Sequence, residues 1–178
     1  MFVIIEGLHN TGKSTLSTAL QQQGFLLFEC RRNVKQLLNA RNSQISDFAL
    51  GVNSSILWFA KSFAASQNVL FDRLHFSEYA YGQIFRNVNR YDAISQFKLI
   101  DSKLSECNVK LIYLFCDYET MIERLQTKNQ IYTATDYKKL AEFFSEAFDS
   151  SLLTSKIINT TTSNQIETLQ IATDFLKE

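Results

Sequence analysis

The chain has 178 residues, enough for one domain with one hydrophobic core, and 46% of them are hydrophobic, as in a soluble globular protein. Its 18 Lys and Arg balance its 18 Asp and Glu, so no net charge drives it toward nucleic acid or an anionic membrane. The three cysteines are far apart, which argues against a disulfide framework and favours a cytoplasmic setting. No stretch of roughly 18 apolar residues predicts a membrane span. We expect no signal peptide, because no basic leader precedes the first apolar run.

Short apolar runs alternate with helical patterns along the chain, and no linker or repeat interrupts them. The first run, 2–5, is apolar throughout, which is typical of a strand buried on both faces of a parallel sheet. In chain order, strands are predicted at 2–5, 25–28, 68–71, 109–116 and 156–158. Helices are predicted at 14–23, 31–40, 43–66, 76–88, 92–106, 118–128, 134–150 and 164–177.

This alternation predicts an α/β protein in three layers, with a five-stranded parallel sheet flanked by helices and a single domain over residues 1–178. In such folds, ligands bind at the carboxyl ends of the strands. Polar residues stand directly after three of the predicted strands. They are the segment 7–14, Glu29, and the pair Asp72 and Arg73.

The segment 7–14, Gly-Leu-His-Asn-Thr-Gly-Lys-Ser, matches the phosphate-loop pattern GxxxxGK[ST] and lies between a predicted strand and a predicted helix. Its glycines let the backbone amides and the N-terminus of the next helix form an anion site. We expect Lys13 to reach the β- and γ-phosphates of ATP and the Ser14 hydroxyl to ligate Mg²⁺. The predicted fold is therefore that of a P-loop NTPase. The residues predicted to bind ATP are Gly7, Asn10, Thr11, Gly12, Lys13, Ser14 and Thr15.

The pair Asp72 and Arg73 follows the third predicted strand. A carboxylate at such a strand end, beside a phosphate loop, is the usual second partner for Mg²⁺, and Asp72 is predicted to fill that role with Ser14. Arg73 can bind a phosphate through two hydrogen bonds. The alternative is a surface ion pair at the start of the next helix.

Residues 72–81, Asp-Arg-Leu-His-Phe-Ser-Glu-Tyr-Ala-Tyr, resemble the D-R-[aromatic or apolar]-x-x-S-x-x-A-Y signature of thymidylate kinases. The opening segment 2–15 and the segment 112–125 are similar to the same family, and all three occur in the family's order. The C-terminal part resembles the family only in its pattern of elements. On this resemblance, the chain is identified as a member of the thymidylate kinase-like superfamily of deoxynucleotide and deoxynucleoside kinases.

The resemblance implies transfer of the γ-phosphoryl group of ATP to a deoxynucleoside monophosphate. It implies that Arg73 holds the acceptor phosphate, that Ser77 and Tyr81 lie near the acceptor, and that Glu29 and Arg31 act beside it. In related deoxynucleoside kinases, the acid at the position of Glu29 is a base toward the sugar hydroxyl. Dimers are common in similar families, which leaves a homodimer open. The catalytic residues implied are Lys13, Glu29, Asp72, Arg73 and Arg124.

Three departures from the family pattern concern the acceptor. His9 stands where thymidylate kinases often carry an acid, and Glu-Cys-Arg at 29–31 replaces their Arg-Glu-Pro. The segment that corresponds to their Arg-rich lid offers only Arg124 and Lys128 as cations. The acceptor can therefore differ from dTMP.

Two further hypotheses keep the phosphate loop but change the role. One is a kinase that acts on a nucleoside hydroxyl or on a hydroxymethyl pyrimidine in DNA, as some phage proteins that resemble this family do. The other is a non-catalytic module that binds nucleotide without transferring phosphate. The basic residues that could line a DNA substrate, or else form a solvated surface, are Arg31, Arg32, Lys35, Arg41, Arg86 and Arg90.

Overall fold

A computed structural model, which describes residues 1–29, 55, 62, 66–126 and 133–178, shows five strands in one parallel sheet. The strand order across the sheet is β2-β3-β1-β4-β5, and every neighbouring pair is parallel. The predicted sheet is therefore confirmed. The strands are β1 (Phe2–Gly7), β2 (Leu26–Glu29), β3 (Val69–Asp72), β4 (Val109–Phe115) and β5 (Thr154–Asn159).

Six helices belong to the described ranges, and none of them is long and apolar enough to cross a membrane. The predicted helix 31–40 and most of the predicted helix 43–66 lie outside the described residues. The helices are α1 (Lys13–Gln22), α2 (His75–Phe85), α3 (Arg90–Ser105), α4 (Tyr118–Gln126), α5 (Ala134–Ser150) and α6 (Gln165–Lys177).

The sheet is covered on both faces, which explains why its central strand is apolar without alternation. Phe2 and Ile4 of β1 join one buried cluster, whereas Val3 and Ile5 join the other. The first cluster includes side chains from α2, α3 and α5, and the second includes side chains from α1 and α6. The three predicted layers are therefore confirmed.

A buried polar pair connects the helices of the first face. His75 at the start of α2 donates from Nε2 to Asp101 Oδ1 on α3 over 3.0 Å. The same carboxylate accepts hydrogen bonds from the Ser151 hydroxyl and the Leu152 amide, which follow α5. Burial raises the pKa of Asp101, but these hydrogen bonds outweigh it and hold the pKa below its usual value. The three donors thus join α2, α3 and the end of α5.

Two elements differ in length from the sequence prediction for identifiable reasons. The strand predicted at 156–158 is twice as long, because β5 is an edge strand whose exposed residues Thr154 and Ser155 carry no apolar signal. The helix predicted at 76–88 ends at Phe85, because Asn87 adopts a φ of 51° that a helix cannot continue.

The central pair of strands creates a crevice at the carboxyl edge of the sheet. In β1 and β3, Ile5 is in register with Asp72. The chain leaves β1 for α1 on one face and leaves β3 for α2 on the other face. Ligands of open α/β sheets bind at such a point, where the connections of adjacent strands diverge. The phosphate loop and the Asp72–Arg73 turn border this crevice.

We expect Gly7→Ala to lower the free energy of unfolding by about 3 kcal/mol. A Cβ at Gly7 would collide with the backbone carbonyl oxygen of Leu114 on β4, and its φ of 138° disfavours any side chain. Urea unfolding followed by circular dichroism measures this loss.

The matched control is Gly24→Ala, where φ is 96° but no atom of the described residues, chain neighbours aside, lies within 4 Å of the added Cβ. There the backbone conformation alone should cost about 1 kcal/mol. Equal losses in the two variants would contradict a packing role for Gly7.

Candidate nucleotide-binding site

The phosphate loop is a tight turn that leads directly into α1. Gly7, Asn10 and Gly12 all have positive φ angles, of 138°, 60° and 88°. Gly12 precedes α1 without a side-chain cap, and the first turn of α1 carries no acidic residue. The first N–H groups of a helix have no intrahelical partner, and the helix dipole favours a negative charge there.

Lys13 is buried against its own loop. Its Nζ donates to the carbonyl oxygen of Leu8 and, over 3.2 Å, to the hydroxyl of Thr11. Burial, followed by repulsion from Arg73, holds the pKa of the Lys13 ammonium well below its usual value. A cation whose charged form is disfavoured in this way gains stability from an anion bound at the loop.

Ser14 and Asp72, the predicted metal ligands, meet across the crevice. The Ser14 hydroxyl donates to Asp72 Oδ2 over 3.3 Å. Asp72 is 3% exposed, and its Oδ1 is buried without a hydrogen-bond partner in the described part of the chain. Carboxylate and hydroxyl oxygens suit Mg²⁺, which commonly uses one or two carboxylates and keeps several waters. This pair therefore fits the ion, although no cluster of three His, Cys, Asp or Glu occurs among the described residues.

Arg73 spans from the strand end to the phosphate loop. Its Nη1 donates to Gly7 O over 3.2 Å and to Ser77 Oγ over 3.1 Å, and its Nη2 lies 3.3 Å from His9 Nδ1. The guanidinium also lies 5.4 Å from the centre of the Tyr81 ring. These contacts use three of its five N–H bonds. Within the described residues, the other two N–H bonds have no hydrogen-bond partner.

His9, whose role the sequence left open, lies between Arg73 and two tyrosine rings. Arginine can only donate, so His9 Nδ1 accepts and the ring proton is on Nε2. The imidazole meets Tyr81 edge-on at 5.4 Å and Tyr137 of α5 at 6.4 Å. The sequence carries no signal for Tyr137, because only the tertiary fold brings α5 to the loop.

Arg124, predicted as a lid cation, connects the phosphate loop to the turn after β5. Its Nη1 donates to Asn10 O over 3.1 Å and to Thr160 Oγ1 over 3.2 Å. Its Nη2 donates to Thr160 O over 2.8 Å. The residue therefore contacts the loop itself, and sequence analysis missed its partner Thr160.

The remaining predicted residues lie on β2, on or beside the helices α1 to α3, and in the part of the chain that the structure does not describe. Glu29, the last residue of β2, is in register with Asp72, and the exposed Thr15 lies in the first turn of α1. Among the basic residues considered for DNA, Arg86 pairs with Glu78 and Arg90 pairs with Glu146. The residues outside the described ranges are Arg31, Arg32, Lys35, Arg41 and Lys128.

Sequence analysis missed Glu6, a fully buried acid that lies between the phosphate loop and α2. Its carboxylate accepts hydrogen bonds from the amides of Leu74 and Ser77 and from the Ser77 hydroxyl. The available signal is an acid next to the end of an otherwise apolar, buried strand.

No model of a known protein family and no curated protein matches this sequence. Solved structures do match it. The YorR protein from Bacillus subtilis, in complex with phosphorylated GDP, has a TM-score of 0.73 and 18% identity over 99% of this chain and 96% of that chain. Deoxyadenosine kinase from M. mycoides with bound dATP gives 0.68 and 17% over 100% of both chains. Thymidylate kinase from Ehrlichia chaffeensis gives 0.66 and 14% over 100% of this chain and 98% of that chain.

The chain has the P-loop kinase fold. The structural matches confirm the resemblance at the level of the fold, because each covers nearly the whole of this chain and of the matched chain. Their sequence identities are all below one-fifth, so they show the fold alone. The P-loop kinase fold accounts for the position of Lys13 and Ser14 beside Asp72. The roles of individual side chains stay predictions.

We expect Arg124→Ala to lower the free energy of unfolding by about 2 kcal/mol, because Asn10 O and Thr160 lose charged hydrogen-bond donors in a half-buried position. Urea unfolding measures this change. The control is Arg90→Ala, because the Arg90 side chain is 57% exposed and pairs with Glu146 at the surface. It should cost less than about 1 kcal/mol. Similar losses would show that Arg124 does not connect the loop to the β5 turn in solution.

Proposed function

We propose that the protein is a P-loop phosphotransferase that moves the γ-phosphoryl group of ATP to a deoxynucleoside monophosphate. One observation carries the proposal: the pairing of β1 with β3 brings Lys13 and Ser14 to the same crevice as Asp72 and Arg73. The neighbours in fold support it, since two of them are named deoxyadenosine kinase and thymidylate kinase. We further propose that residues 1–178 form one domain of this kind.

The donor half of the proposed site consists of the loop amides, the N-terminus of α1 and Lys13. The amides can bind phosphate oxygens, and Lys13 can exchange its contact with Leu8 O for a γ-phosphate oxygen. Ser14 and Asp72 would hold Mg²⁺, which when bound neutralises charge on the β- and γ-phosphates.

The acceptor half consists of the Arg73 guanidinium and the aromatic ring of Tyr81 beneath it. An arginine with two N–H bonds left can bind a phosphate through two hydrogen bonds. In the reaction, an acceptor phosphate oxygen forms a bond to the γ-phosphorus, the bond from that phosphorus to the bridging oxygen breaks, and ADP leaves. A monophosphate oxygen is already anionic, so no base has to remove a proton.

A second candidate is transfer to a nucleoside hydroxyl, which does require a base. Glu29 favours this candidate, because it ends β2 in register with Asp72, about 4.8 Å away across the sheet. DNA as the acceptor gains no support from Arg86 and Arg90, since both already pair with carboxylates. The homodimer and the cytoplasmic setting stay predictions.

A screen with ATP labelled on the γ-phosphate tests the proposal directly. Deoxynucleoside monophosphates, deoxynucleosides and DNA with hydroxymethyl pyrimidines are offered separately, and the products are resolved by chromatography. We expect label on a monophosphate and a loss of at least about 100-fold in Lys13→Ala, which lacks the cation at the γ-phosphate. Lys138→Ala, at an exposed position of α5, should retain full activity.

Other outcomes of the screen would redirect the assignment. Label on a nucleoside or on DNA would replace the monophosphate as acceptor. Tight ATP binding without transfer to any acceptor would indicate the non-catalytic module. Full activity of Lys13→Ala would refute the proposed donor site.

Asp72→Asn should weaken ATP binding about ten-fold in the presence of Mg²⁺ and leave binding in EDTA unchanged, because only the metal-dependent part uses the carboxylate charge. Isothermal titration calorimetry measures both affinities without requiring turnover. Asp149→Asn, at an exposed position near the end of α5, is the control and should change neither. An equal loss with and without Mg²⁺ would mean that Asp72 supports the loop and not the ion.

A further inference from the structure

Glu6 is a buried carboxylate that the proposed reaction does not use. It is fully buried in β1, between Ile5 and the first glycine of the phosphate loop. Its Oε1 accepts the amide hydrogens of Leu74 over 2.6 Å and Ser77 over 3.2 Å. Its Oε2 accepts the hydroxyl hydrogen of Ser77 over 2.7 Å. All three donors belong to the start of α2, so the carboxylate is aimed at that helix.

Glu6 acts as the N-terminal cap of α2 from a different part of the chain. The residue that precedes α2 is Leu74, whose own side chain has no acceptor and makes no capping hydrogen bond. The Glu6 carboxylate accepts from that residue's amide and from the third amide of the helix. A capping residue usually provides these contacts locally, and a negative charge at a helix N-terminus is favourable.

The capped turn contains Arg73 in an unfavourable backbone conformation. Its φ is 73°, in the left-handed region that residues with a Cβ avoid. The Arg73 amide donates to Ile5 O over 3.0 Å, and the next amide donates to Glu6. Two consecutive residues of β1 therefore hold the turn from which the Arg73 side chain projects.

The side chains form a directed chain of hydrogen bonds from Arg73 to Glu6. Arg73 Nη1 can only donate, so Ser77 Oγ accepts from it. The Ser77 hydroxyl then gives its own hydrogen to Glu6 Oε2. The negative charge of Glu6 makes Ser77 a better acceptor, because neighbouring hydrogen bonds polarise one another. The negative charge of Glu6 thus strengthens the hydrogen bond between Ser77 and the Arg73 guanidinium.

We propose that Glu6 and Ser77 are positioning residues that orient Arg73 toward the phosphate of the acceptor. Ser77 then acts through Arg73 and does not contact the substrate itself. Gly7 O, Ser77 Oγ and His9 Nδ1 occupy three N–H bonds of Arg73, and the other two have no partner among the described residues. This inference rests on the proposed transfer to a nucleoside monophosphate.

The test compares steady-state kinetics of Ser77→Ala, Ser77→Thr and Glu6→Gln with the wild type. We expect the acceptor KM to rise about ten-fold in Ser77→Ala and Glu6→Gln, the factor that one charge-assisted hydrogen bond is worth. The KM for ATP should stay near its wild-type value. Ser77→Thr keeps the hydroxyl and should keep the acceptor KM, and the double variant E6Q/S77A should be no worse than the poorer single variant.

A purely structural role predicts a different pattern: a lower Tm with an unchanged acceptor KM, which would overturn the proposal. Additive losses in the double variant would also overturn it, because the two residues would then act independently. If Glu6→Gln does not fold, the comparison of Ser77→Ala with Ser77→Thr still decides whether the hydroxyl positions Arg73.

A second measurement does not depend on catalysis. Phenylglyoxal modifies arginine, and peptide mass spectrometry gives the rate at Arg73 in each variant. We expect faster modification of Arg73 in Ser77→Ala and Glu6→Gln and an unchanged rate in Ser77→Thr. The exposed Arg90 serves as the internal reference in every sample. If the wild type phosphorylates no acceptor, the proposed function fails, whereas an unchanged Arg73 rate in Ser77→Ala refutes the positioning role.

Discussion

The parallel pairing of β1 with β3 is the constraint on which the rest of the site depends. Both strands are completely buried, and their register places Ile5 beside Asp72. Since the chain leaves β1 and β3 toward opposite faces, the loop and the Asp72–Arg73 turn begin close together and then diverge. The strand spacing of about 4.8 Å sets the distance between these starting points. Ser14 can therefore contact Asp72 although 58 positions separate them.

The same strand pairing explains how the protein tolerates the strain at Arg73. A left-handed conformation costs a residue with a Cβ about 1–2 kcal/mol. The Arg73 amide donates to the buried Ile5 carbonyl, and the Leu74 amide donates to the buried Glu6 carboxylate. The turn therefore cannot relax without leaving buried acceptors unpaired. Packing in the sheet thus stabilises an unfavourable turn whose side chain reaches the phosphate loop.

The sequence was sufficient to predict contiguous strands and motifs, but it did not reveal contacts between residues far apart in the chain. The strand β1 and the phosphate loop are each contiguous, and burial on both faces gives β1 an unbroken apolar run. The length of the edge strand β5 was underestimated, because its exposed polar residues do not form an apolar run. Glu6 meets Ser77 across 71 positions, and no pattern in the sequence shows such a contact. The contact between Ser14 and Asp72 was predictable, because the connection after β1 and the end of β3 meet at one edge of a parallel sheet. Their role as metal ligands stays a prediction.

Charge around the loop shows how a chain with no net charge can be suited to a polyanion. Three cations donate to three carbonyl oxygens of the loop: Arg73 to Gly7, Lys13 to Leu8 and Arg124 to Asn10. These contacts fix the carbonyl groups of the loop, and backbone amides in such a turn can form an anion-binding concavity. Elsewhere, Arg86 and Arg90 are each neutralised by a glutamate. Because burial and Arg73 both disfavour the charged form of Lys13, a bound phosphate would relieve a cost already present in the fold. Burial and the nearby Arg73 guanidinium thus make the charged form of Lys13 unfavourable, a local property that the overall charge balance conceals.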